Sequence, residues 1–221
     1  MNVINMLRKE WISYRKTMVW AFFYLLLFAI SFRAMTGGVQ ASYVTTVTLA
    51  VYMVSVGSIQ NDEKNKVDSL LGVLPLKRDD VVRAKFLLSD LFLAAGLMMY
   101  CILGGGNRLL FPDVDIFEIP KFSTAAAAFL STSFLNLVTI PVAYRFGTNR
   151  GRILVALLGA SVFGGVLAGG IITGMLTDLE FNAMAFPLTE TGIGLLMLAA
   201  GIVIQGIGFF ISLKIYRKKE F

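Results

Sequence analysis

Long runs almost free of charged side chains constrain this chain more than any other feature. Residues 17–32, 41–60, 86–104, 122–144, 153–176 and 191–215 are dominated by apolar side chains, and only Asp90 and Lys214 interrupt them with charge. Crossing ~30 Å of hydrocarbon takes roughly 20 apolar residues in a helix. In lipid every backbone N–H and C=O must be satisfied internally, so an open sheet is excluded, and the runs lack strand-like alternation. The expectation is an all-α membrane protein with six transmembrane helices. Composition agrees: at 221 residues, 57% hydrophobic and without histidine, a soluble domain could not bury so much apolar surface in one core. The first run has no small-residue cleavage site, so it is expected to be retained as a span.

Lysine and arginine set the expected orientation. Arg8, Lys9, Arg15 and Lys16 precede the first span; Lys64, Lys66, Lys77, Arg78, Arg83 and Lys85 lie between the second and third. Arg145, Arg150 and Arg152 follow the fourth, and Lys214, Arg217, Lys218 and Lys219 end the chain. The opposite side holds only Arg33, Arg108 and Lys121. The positive-inside rule places both termini in the cytoplasm. The net charge of +6 is what orientation and anionic lipid require, and no basic domain outside the membrane points to nucleic acid. Cys101 is the sole cysteine, which excludes a disulfide framework or thiolate metal site. The chain has no phosphate-binding loop, no metal cluster and no Ser/His or Cys/His pairing; catalytic, cofactor-binding and metal residues are not expected in it.

Along the chain, residues 1–16 suit an amphipathic interfacial helix. Val3, Leu7 and Trp11 share a face that Ile4 and Tyr14 widen, while Lys9 and Lys16 lie opposite; Trp11 would sit at headgroup depth. Thr45, Thr48, Tyr52 and Ser55 form a polar stripe on the second span, and Thr132, Asn136 and Thr139 repeat it on the fourth before Pro141. Polar stripes in lipid face protein or water, so these residues either join helices or line a translocation pathway. Ser161, Gly165 and Gly169, four apart on the fifth span, would let helix backbones approach closely. The acids of 105–121 and 177–190 lack calcium-loop spacing and read as solvated charge. Asp90 is the one acidic residue inside a span. Lying near the third span's start and near Lys85, it suits a structural ion pair or hydrogen bond better than a coupling-ion site.

The connection at 61–85 is more than a tether. Val67, Leu70, Leu71 and Leu74 fall on one helical face ringed by Asp62, Glu63, Lys64, Lys66 and Asp68. Pro75 ends that helix, and Asp79 and Asp80 suit the start of another that runs into the third span. The product is a helix–proline–helix elbow with an apolar ridge, better suited to a protein groove than to anionic lipid.

The run Glu63-Lys64, Leu70-Leu71, Leu74-Pro75, Lys77-Arg78 and Lys85 resembles the cytoplasmic connection between the second and third spans of ABC-2-type transporter permeases. The short external loops look like those of peptide-exporter permeases, such as those of phenol-soluble modulin export or lantibiotic self-protection. Lys77 departs from the family's frequent Ser or Thr. The resemblance implies that this segment is a coupling helix docking into a separately encoded ATPase. Val67, Leu70, Leu71, Leu74 and Pro75 would form the docked ridge, and Glu63, Lys64 and Arg78 would make charged contacts. It further implies two permease chains, as a homo- or heterodimer, with two ATPase copies that bind ATP and magnesium. The expected cargo is an amphipathic or hydrophobic peptide. An ion-driven secondary transporter and a non-catalytic scaffold or sensor are the competing classes.

Overall fold

In lipid each backbone group must be paired within its own segment, and the apolar stretches are accordingly helical, even where Val and Thr are frequent. The computed structural model describes residues 3–36, 39–65, 78–110, 117–147 and 189–218. Among the described residues there are five helices and no strand: α1 (Val3–Thr36), α2 (Val39–Lys64), α3 (Arg78–Leu110), α4 (Phe122–Gly147) and α5 (Glu190–Arg217). By length and composition α2, α3, α4 and α5 can cross a membrane, whereas the apolar stretch within α1, Val19–Ser31, is shorter. The span expected at 153–176 lies outside the described residues.

The first expectation to change is the separate interfacial helix at 1–16. Residues 3–16 open α1 instead, which continues without interruption for 34 residues. No glycine or proline occurs between Val3 and Thr36, so nothing in the chain breaks the backbone hydrogen-bond ladder there. Met6 and Glu10 of α1 are buried, while Ile4 and Trp11, on the face expected at the membrane interface, are exposed.

Two apolar clusters hold the helices. Ala21, Leu25 and Ala29 of α1 pack with Val47, Val51 and Val54 of α2 and with Leu88 and Phe92 of α3. Toward the other end of α2, Met6, Ile59, Val82, Ile140, Tyr144 and Tyr216 draw in α4 and α5. The α4–α5 seam rests on a glycine column at seven-residue spacing. A Cβ on Gly194 or Gly201 would come within 2.6 Å of the Phe122 or Phe129 ring, and one on Gly208 within 2.9 Å of the Leu137 Cα. Without side chains at these points the two helix backbones approach closely, as small residues allow between membrane helices. Thr189 caps α5, its hydroxyl accepting the Gly192 N–H at 3.3 Å.

Candidate functional site

The connection expected to dock a partner runs from the end of α2 to the start of α3. At the end of α2, Asn65 folds back, its backbone N–H donating to the Asn61 carbonyl at 3.1 Å and its side-chain amide to the same oxygen at 2.9 Å. Glu63 and Lys64 occupy this last turn and are exposed, while Arg78 opens α3. Asp79 and Asp80 fill the first turn of α3, where negative charge suits the helix dipole. Val67, Leu70, Leu71, Leu74 and Pro75 lie outside the described residues, as do Ser161, Gly165 and Gly169. Glu63 also abuts the end of α4. Gly147 there has φ +70, and a Cβ on it would meet the Glu63 Oε1 at 3.0 Å. That left-handed backbone and the near carboxylate both favour glycine.

Beside these helix ends lies a buried cluster of charges that sequence spacing does not disclose. Lys85 on α3 donates to Glu10 Oε1 at 2.9 Å, to Ser58 Oγ at 2.5 Å, and to Asp62. Lys9 reaches the same two acids, at 3.0 Å to Glu10 and 2.5 Å to Asp62. Ser58 donates to the second Glu10 oxygen at 2.7 Å. Three helices therefore meet at one charge-balanced knot of two carboxylates and two ammoniums. The side chains of Lys85 and Glu10 are only 4% and 3% exposed, so each depends on its partners rather than on water. Burial alone would push the Glu10 carboxyl up; the ammoniums of Lys85 and Lys9 outweigh it and hold the group below its ordinary range. For Lys9, burial favours the neutral amine, yet Glu10 and Asp62 together raise its pKa. Lys9 thus turns inward, on the side away from the exposed Trp11. Glu10 carries no motif. The available signal is that Glu10, Asp62 and Lys85 all lie at the same end of successive expected spans.

The polar stripes of the second and fourth spans meet inside the bundle. Thr45, Thr48, Ser55, Thr132, Asn136 and Thr139 are buried, and Tyr52 is half-buried. Asn136 on α4 donates to Ser89 on α3 at 2.9 Å and accepts from Ser55 on α2 at 3.5 Å. Thr45 bonds its own helix, at the Ala41 carbonyl. The hydroxyls of Thr48, Thr132 and Thr139 have no hydrogen-bond partner among the described residues. One part of this column thus joins helices and another leaves buried hydroxyls open.

Asp90 sits one and a half turns beyond Lys85 but does not pair with it. Both of its oxygens accept from the Gln205 amide on α5, at 2.9 and 2.7 Å. The Ser133 hydroxyl on α4 lies 2.8 Å from the Phe129 carbonyl and 3.0 Å from the Gln205 oxygen. Gln205 was not among the expected site residues; its one signal is a polar side chain within an apolar run, and its partner is not readable from spacing. Asp90 and Gln205 open onto a cavity of about 510 Å³ that is also lined by Phe86, Phe129 and Phe209.

No curated protein and no solved structure shows significant similarity to the chain. The family model described as ABC-2 family transporter protein matches residues 5–217, nearly the whole sequence. With several apolar helices long enough to span a bilayer and this match behind it, the chain belongs to the ABC-2 transporter family, as a multi-pass membrane permease of an ABC transporter.

Proposed function

We propose that this permease is driven by a separate ATPase subunit that docks on the connection between α2 and α3, and that it exports amphipathic or hydrophobic peptides. The observation that carries the docking half is the buried Glu10–Asp62–Lys85 knot. It ties α1, α2 and α3 together where α2 leaves for the connection and α3 returns from it. A push on the connection is then delivered to three helices at once, because breaking a buried ion pair leaves an uncompensated charge. In this reading the knot lies on the cytoplasmic side, the ridge of Val67, Leu70, Leu71 and Leu74 enters a groove of the ATPase, and Glu63, Lys64 and Arg78 flank it. The ATPase copies bind ATP and magnesium. Two permease chains complete the transporter. The cargo half is supported by the buried, partly unpartnered hydroxyls of Thr48, Thr132 and Thr139, which suit a route for a chain that is partly apolar and partly polar.

Co-expression with the neighbouring gene products and affinity purification tests the docking reading. An ATPase should co-purify with the wild-type permease, and Leu71→Glu or Leu74→Glu should release it while the permease stays inserted and dimeric. Unchanged association would remove the ridge from the reading, and absence of any co-purifying ATPase would remove the ATPase.

A further inference from the structure

Among the described residues the carboxylate of Asp90 is held in place but not neutralised. Gln205 supplies both of its hydrogen bonds, and Ser133 on the neighbouring helix holds the far side of that amide. Gln205 brings no positive charge, and no Lys or Arg pairs with Asp90 among the described residues. Lys85 is committed to Glu10 and Asp62. Arg83 lines the same cavity, but seven residues separate it from Asp90, which is about 10 Å along a helix. A carboxylate within a span normally faces a partner or a water-filled space. Here it faces a cavity.

The walls of that cavity narrow the choice of ligand. Phe86 and Phe209 fix one another edge to face, with centroids 5.9 Å apart and planes at 81°. With Phe129 and Ile202 they make the lining largely apolar. At about 510 Å³ it falls within the usual size of small-molecule sites. An anion would meet the Asp90 charge, and a small hydrated cation would have few oxygens to replace its water shell. A cation whose charge is surrounded by carbon suits both features, because aromatic rings attract such ions and apolar walls take their substituents.

We propose that the cavity between α3, α4 and α5 binds a hydrophobic organic cation, with Asp90 as its counter-ion. Gln205 is the positioning residue that aims the carboxylate. The site belongs to the permease alone, so it stands or falls independently of ATPase docking.

Tetraphenylphosphonium is a suitable probe, measured by equilibrium dialysis against the full chain in phosphatidylcholine nanodiscs, with empty nanodiscs subtracted. Wild type should bind it saturably and should not bind tetraphenylborate, an anion of the same shape. Asp90→Asn should weaken binding by roughly tenfold or more, since a desolvated charge pair is lost. Phe209→Leu should weaken it by a smaller factor, on the order of threefold, and Arg83→Gln, which removes a positive charge from the cavity wall, should strengthen it. Lack of saturable binding by wild type would overturn the proposal, as would equal binding of the anion or an undiminished Asp90→Asn. If Asp90→Asn does not give a monodisperse protein, the cation preference of wild type and the Phe209→Leu result decide.

Discussion

Two carboxylate sites lie along α3, and they are built on opposite terms. At Lys85, two acids meet two ammoniums and a serine, and almost nothing of Lys85 or Glu10 reaches solvent. At Asp90, a single acid meets one neutral amide beside an open cavity. A buried charge that is fully paired serves the fold, because its partners would be stranded without it. A charge that is oriented but unpaired leaves interaction energy for something else to use. The contrast separates a fastening from a place of recognition, although both are acids on the same bundle.

Unfolding measurements on purified protein can break that contrast. Lys85→Met should cost about 3–5 kcal/mol, because Glu10 and Asp62 lose their most buried cation; adding Asp62→Leu should recover part of it. Asp90→Asn, which keeps its shape and its amide neighbour, should cost less than about 1 kcal/mol. Equal losses at the two positions would mean that Asp90 is also structural. Gly208→Leu should follow, at about 1–3 kcal/mol, since even its Cβ would lie 2.9 Å from the Leu137 backbone. Asn136→Leu should cost about 0.6–1.7 kcal/mol, the range for hydrogen bonds between membrane helices. A largely exposed ion pair sets the lower bound: Asp79→Asn weakens the pair with Arg217 and removes a charge from the first turn of α3, and should lower the melting temperature only slightly.

Acidity gives a further way to sharpen the comparison. The folded state holds Glu10 below its ordinary pKa of 4.5. Its stabilisation is therefore complete above that value and is lost as pH falls through 4.5 and below. Lys9 is raised above 10.5, so its share is present below 10.5 and is lost only at higher pH. The share of stability due to Glu10 and Lys9 should be level between those limits. In Glu10→Gln the acid-side fall should shrink, and chemical unfolding at a series of pH values reads the difference.

Much of the helical layout was legible because lipid leaves the chain few alternatives. Thr132, Asn136 and Thr139 turn inward as their spacing predicts, since polar groups cannot face hydrocarbon. Close packing is expected from Ser161, Gly165 and Gly169, yet among the described residues it is Gly194, Gly201 and Gly208 that admit a neighbouring helix. That column is equally regular and could have been found by the same rule. The knot could not. Lys9 and Glu10 are adjacent, but Asp62 and Lys85 are brought to them by helices 53 and 75 residues away, and no local periodicity encodes that meeting. The continuity of α1 was hidden differently. A change from charged to apolar residues near 16 suggests two elements, whereas backbone hydrogen bonding responds to the missing glycine and proline.

That unbroken helix has a mechanical consequence. From Glu10, where the knot grips it, to its end at Thr36, α1 extends for about 39 Å at 1.5 Å per residue. A tilt of about 5° at the gripped end would sweep the opposite end sideways by about 3 Å, close to the width of a water molecule. Small angular changes at the charged end would thus become steps of molecular size across the bilayer.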